Sequence, residues 1–131
     1  MRLLLDTHIW LWSLLEPKRL SKAVLKELGE KENELWLSPI SIWETLLLSQ
    51  KRKIDLGQAP RKWIADGLAK AAMKEAPVNT LVALETGRLQ MQHRDPADRF
   101  LVATAIVFDL RLVTADERLL QIKDVAVLAN D

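Results

Sequence analysis

At 131 residues, 49% of them hydrophobic and 28% charged, the chain has the size and apolar content of a single domain, 1–131, that buries a core unaided by disulfides or a structural metal. It contains no cysteine, so disulfides and thiolate metal sites are excluded, and any metal must rest on oxygen ligands or on His8 and His93. Lys and Arg number 19 against 18 Asp and Glu, and the formal charge of +1 does not by itself mark a nucleic-acid binder.

The N-terminal MRLLLD lacks the length and the cleavage site of a signal peptide, and no apolar run reaches the roughly 18 residues of a membrane span, so a cytoplasmic protein is expected. Residues 3–5 form the first strand-length apolar run and end on Asp6. A helix is expected from near His8, with Trp10 and Trp12 on different faces. Ser21 caps a second helix through Val24, Leu25 and Leu28 to Gly29, and residues 35–37 form a second strand. Ser38-Pro39 places a capping hydroxyl before proline at the first helical position. Ile40, Trp43, Glu44, Leu47 and Leu48 then follow at the spacing of a buried stripe. Trp63, Ile64, Leu68, Ala71 and Ala72 mark another helix, residues 76–78 a weak strand, and Thr80 the cap of a helix through Leu84 to Gly87. Asp95-Pro96-Ala97-Asp98 repeats the cap-and-proline signal with a carboxylate at N3. Strands are expected at residues 110–113 and 125–128. This alternation predicts an α/β fold with a central, mostly parallel sheet of four or five strands.

Four acids stand out. Asp6 and Asp116 each follow a predicted strand, and ligands of open α/β sheets bind at the carboxyl edge. Glu44 interrupts an apolar stripe, where a carboxylate is rarely placed for packing. Asp98 lies in the first turn of the helix that leads to the 110–113 strand. Gathered in one cleft, four carboxylates repel one another, and a divalent cation resolves the conflict. Carboxylates and water suit Mg²⁺ or Mn²⁺, and the implied chemistry is phosphodiester hydrolysis with no nucleophilic side chain.

The segments MRLLLDTHIWLW, SPISIWETLLL, HRDPADRFLVATA and LVTADERL, in this order and spacing, resemble the PIN-domain ribonucleases, most closely the VapC-type toxins of type II toxin-antitoxin pairs. The resemblance spans essentially the whole chain and implies a three-layer α/β/α fold. It places the family's catalytic, metal-binding acids on Asp6, Glu44, Asp98 and Asp116. It implies Mg²⁺- or Mn²⁺-dependent endonucleolytic cleavage of RNA, homodimerisation and inhibition by a cognate antitoxin.

Structural readings stand beside these. Asp95 is first a helix cap, with contact to a metal through water as its other use. Asp98 at N3 complements a helix dipole, Thr114 and Glu117 fit a capping box around Asp116, and Asp6 can cap the helix near His8. His8 and His93 receive no role. Lys18-Arg19, Lys51-Arg52-Lys53, Arg61-Lys62 and Arg94 with Arg99 are solvated faces or phosphate contacts. Trp10, Trp12, Trp36, Trp43 and Trp63 are core or interface anchors; an exposed one among Trp10 and Trp12 would serve a dimer or antitoxin surface. A haloacid-dehalogenase phosphatase wants a second aspartate two positions after Asp6, where His8 stands, and a receiver domain wants an acidic pair near the first strand's end. The alternative from another class is a catalytically degenerate PIN-like module that binds a basic partner segment or RNA.

Overall fold

A computed structural model describes residues 1–91 and 95–131. Its strands are β1 (Arg2–Leu5), β2 (Glu34–Leu37), β3 (Met73–Glu75), β4 (Arg111–Thr114) and β5 (Val127–Ala129). They form one sheet in the order β3-β2-β1-β4-β5, and every pairing is parallel. The helices are α1 (Thr7–Leu15), α2 (Lys22–Gly29), α3 (Pro39–Gln50), α4 (Pro60–Lys70), α5 (Thr80–Thr86), α6 (Pro96–Val107) and α7 (Glu117–Leu120). Among the described residues, no helix is long and apolar enough to cross a membrane.

Side-chain alternation along the central strands splits the core into two. Leu3 and Leu5 of β1 join Val113 of β4 beneath Ile9 and Trp10 of α1, Val24 of α2, and Trp63 and Ile64 of α4. Leu4 and Leu112 point the other way, toward Val102 and Ala105 of α6 and Leu119 of α7. Helices therefore cover both faces of a parallel sheet, the arrangement that lets its strands be apolar throughout. Trp10 and Trp63 meet edge to face at 5.6 Å. This packing closes α4 onto α1 over Gly67, where a Cβ would stand 2.9 Å from Leu14 and 3.3 Å from Trp10.

The sheet grows outward from β1 to β2 and β3 on one side, and to β4 and β5 on the other. The reversal lies between β1 and β4, and their carboxyl ends flank the crevice where such folds bind ligands. Asp6 follows β1 directly, and its N–H continues the ladder to the carbonyl of Val113 at 3.0 Å.

Several local expectations shift. The strand expected at residues 76–78 lies earlier, at Met73–Glu75, on an exposed edge that hydropathy does not mark, and Pro77 has no N–H to extend it. Helix α4 ends at Lys70, before Ala71 and Ala72. Strand β5 begins two residues later than expected. Asn79, not Thr80, caps α5, accepting from the Val82 N–H at 3.1 Å. Asp116, not Thr114, caps α7. On α3 the innermost residues are Ser41 and Thr45, both fully buried, while Trp43 is 51% exposed. Small residues turn inward there because α3 packs closely on α1, and Thr45 satisfies its hydroxyl on the Ser41 carbonyl at 2.8 Å. The surface-facing tryptophan is thus Trp43; Trp10 is buried, and Trp12 is half-buried under the Arg19 guanidinium at 4.1 Å.

Candidate active site

Asp6 occupies two roles at once. As N-cap of α1 it accepts the Thr7 N–H on Oδ1 at 2.7 Å, and on Oδ2 it accepts the Thr114 hydroxyl from the end of β4 at 2.7 Å. The residue is only 9% exposed. Burial pushes its carboxyl above the usual range although the Thr114 and Thr7 hydrogen bonds and the nearby His8 pull the other way; the charge of Asp116 adds to the rise.

Glu44 reaches the same region from α3. Thr7 donates its hydroxyl to Glu44 Oε1 at 2.5 Å, and Ser41, one turn earlier on α3, lies 2.8 Å from the same Thr7 oxygen. Thr7 has one proton to give, so the chain of donors runs Ser41 to Thr7 to Glu44. Burial is the main cause that lifts the Glu44 carboxyl to about 7; the Thr7 hydrogen bond opposes it, and the charges of Asp6, Asp95 and Asp98 add to it. The partial desolvation expected of an acid in this helix is present.

Asp98 lies in the first turn of α6 and is 8% exposed. Asp95 is the N-cap of that helix, accepting the Ala97 N–H at 3.0 Å, so its structural reading holds, although its charge still reaches Glu44. Asp116 caps α7, with its own N–H donated to the Thr114 hydroxyl oxygen at 3.0 Å. One residue, Arg118, grips it three times: backbone N–H to Oδ1 at 2.9 Å, Nε to Oδ1 at 3.2 Å and Nη2 to Oδ2 at 2.9 Å.

The four predicted acids therefore share one electrostatic field. Asp6 and Asp98 bear on Glu44, and Asp116 bears on Asp6. Among the described residues, however, no three acidic or histidine side chains converge tightly enough to enclose an ion as they stand. Hydroxyls hold Asp6 and Glu44 instead, and a guanidinium holds Asp116. The donor set still suits a hard divalent cation, being all oxygen, with one buried and one half-buried carboxyl whose ionised forms are disfavoured without added positive charge.

Sequence reading passed over Thr7 and Ser41, and it gave Thr114 only a capping role. The available signal was a small hydroxyl residue near three of the acids: Thr7 after Asp6, Ser41 three before Glu44, Thr114 two before Asp116. Of the basic candidates, Arg99 is spent on the carbonyls of Thr86 at 2.9 Å and Met91 at 3.4 Å, which removes it as a phosphate contact. Lys18, Lys51, Arg52, Lys53, Arg61 and Lys62 are exposed. His8 is exposed beside Asp6, whereas His93 and Arg94 lie outside the described residues.

Comparison with known proteins identifies the family. The PIN domain family model matches residues 3–125. Ribonuclease VapC22 of Mycobacterium tuberculosis is 35% identical over 119 residues, 88% of each chain. A crystal structure of VapBC2 from Rickettsia felis, bound to a DNA fragment from their promoter, has a TM-score of 0.78 at 18% identity and covers 100% of both chains. FitAcB from Neisseria gonorrhoeae has a TM-score of 0.65 at 23% identity, covering 98% of this chain and 97% of its own. The two solved structures share the fold, and the match of sequence over nearly the whole chain adds the lineage: this protein belongs to the PIN-domain family and, within it, to the VapC ribonucleases.

Proposed function

We propose that this chain is an Mg²⁺- or Mn²⁺-dependent endoribonuclease, a VapC-type toxin that acts in the cytoplasm as a homodimer and is restrained by a cognate antitoxin. One observation carries the catalytic part. Asp6, buried, and Glu44, half-buried, come from opposite ends of the β1–β2–α3 segment to the sheet's switch point, where the charge of Asp6 bears on Glu44 and each is held by a hydroxyl donor. Like charges held partly out of water are costly, and such pairs concentrate at functional sites.

Asp6, Glu44, Asp98 and Asp116 are the residues that would hold the cation, with Asp95 in reach only through water. A carboxylate oxygen has two lone pairs, so the hydrogen bonds from Thr7 and Thr114 leave Asp6 further capacity to ligate. A bound Mg²⁺ or Mn²⁺ would supply positive charge against the phosphate and would ease deprotonation of the attacking water. The chain's own part is positional. Thr7 and Thr114 fix the orientation of Glu44 and Asp6. The VapBC assemblies among the structural relatives support a protein antitoxin as the restraining partner.

The test is cleavage of a mixed RNA pool by wild-type protein and Asp6→Asn, with Mg²⁺ or Mn²⁺ and with excess EDTA. Cleavage that needs the cation and is lost in the variant supports the nuclease. RNA binding without cleavage by folded, cation-loaded wild type would instead favour the degenerate binding module.

A further inference from the structure

Arg118 is not among the acids that define the site, yet it is bound to one of them more completely than any packing role requires. Its side chain is 66% exposed and touches Asp116 through a two-pronged contact, Nε to Oδ1 at 3.2 Å and Nη2 to Oδ2 at 2.9 Å. Both oxygens of Asp116 are thereby engaged by a guanidinium. The cap of α7 does not need this, because the Arg118 backbone N–H already supplies the capping bond at 2.9 Å. Arg118 follows Asp116 by two residues in the first turn of α7, so its guanidinium stands at the carboxyl end of β4, on the side of the sheet where Asp6 also emerges.

A cation that takes Asp116 as a ligand meets this fork on the same oxygens. Exposed ion pairs are weak, so the fork yields readily. Once displaced, an arginine at the rim of a cleft keeps a planar double donor that matches a phosphate. We propose that Arg118 is a positioning residue with two states: it clamps Asp116 while the site is without a cation, and turns to a phosphate of the RNA when a divalent cation takes its place. The inference rests on the nuclease reading above.

The experiment uses the whole chain, as wild type, Arg118→Ala and Arg118→Lys. Mn²⁺ binding is measured by titration calorimetry. Binding of a short single-stranded RNA is then measured against salt concentration, in Ca²⁺ and in EDTA. Removing the fork should tighten Mn²⁺ binding about two- to five-fold, the strength of an exposed ion pair. With Ca²⁺ present, the slope of log affinity against log salt should be shallower in Arg118→Ala by about one phosphate contact, and restored by Arg118→Lys. In EDTA the slopes of wild type and Arg118→Ala should coincide, since the fork is then engaged on Asp116. Unchanged or weaker Mn²⁺ binding in Arg118→Ala, or equal slopes in Ca²⁺, would overturn the two-state role while leaving the nuclease standing. A wild type that binds no Mn²⁺ at all would overturn both.

Discussion

Glu44 should make the cation-free protein less stable as pH rises. Its carboxyl goes from the ordinary 4.5 to about 7 on folding, chiefly through burial. The folded state therefore binds the proton more tightly than the unfolded chain does. The sign follows from linkage: stability is highest below 4.5, falls as pH rises from there to about 7, and is flat above. At ~1.4 kcal/mol per pH unit the ceiling is about 3 kcal/mol. Glu44 is only partly buried, and solvent screening reduces the expected effect to ~1–2 kcal/mol. Glu44→Gln removes the charge while keeping an oxygen to accept the Thr7 hydroxyl. In EDTA at about pH 8, urea unfolding should show the variant ~1–2 kcal/mol more stable than wild type, and near pH 4.5 the gap should close. Saturating Mn²⁺ should reverse the order, because wild type gains about 2.7 kcal/mol at a hundred times its Kd and the amide is a poorer ligand. A variant no more stable than wild type at the higher pH in EDTA would refute the argument that Glu44 is a desolvated carboxylate.

Three further outcomes test the scaffold. Thr7→Val, nearly isosteric and fully buried, leaves Glu44 and Ser41 without their shared hydroxyl; chemical denaturation should report a loss of ~1–3 kcal/mol, and Thr7→Ser should recover most of it. Leu4→Ala opens a cavity in the central strand, where the side chain is 0% exposed, and should cost ~2–5 kcal/mol with cleavage per folded molecule unchanged. Asn79→Ala should lower stability by ~1 kcal/mol and Thr80→Ala by much less, because only Asn79 reaches the Val82 N–H. Equal losses at the two positions, read by thermal melts, would mean that Thr80 shares the cap.

What the chain reveals in one dimension is what local physics controls. The apolar triplet at residues 3–5, the Ser38-Pro39 and Asp95-Pro96 caps and the alternation of strand and helix made the α/β class and most element positions legible, because burial periodicity and capping chemistry act within a few residues. Three of the four proposed site acids stood out in the chain alone, Asp6 and Asp116 by their place after strands and Glu44 by its discord with an apolar stripe. Edge strand β3 was misplaced because its Lys74 and Glu75 face solvent and leave no hydrophobic trace.

Contacts between distant segments were settled only by the fold. Asp6 caps α1 and at the same time accepts the Thr114 hydroxyl across a separation of 108 residues, so the capping reading does not exclude the proposed site role. The hydroxyl chain from Ser41 through Thr7 to Glu44 joins α3 to the start of α1. The inward turn of Ser41 and Thr45, in place of the larger Trp43, depends on how closely α3 approaches α1. The sequence by itself determined which residues carry charge and which spans are helix or strand, because propensity and patterning are local. Which oxygens meet, and how far their charges are desolvated, depended on packing across the sheet, where no local signal reaches.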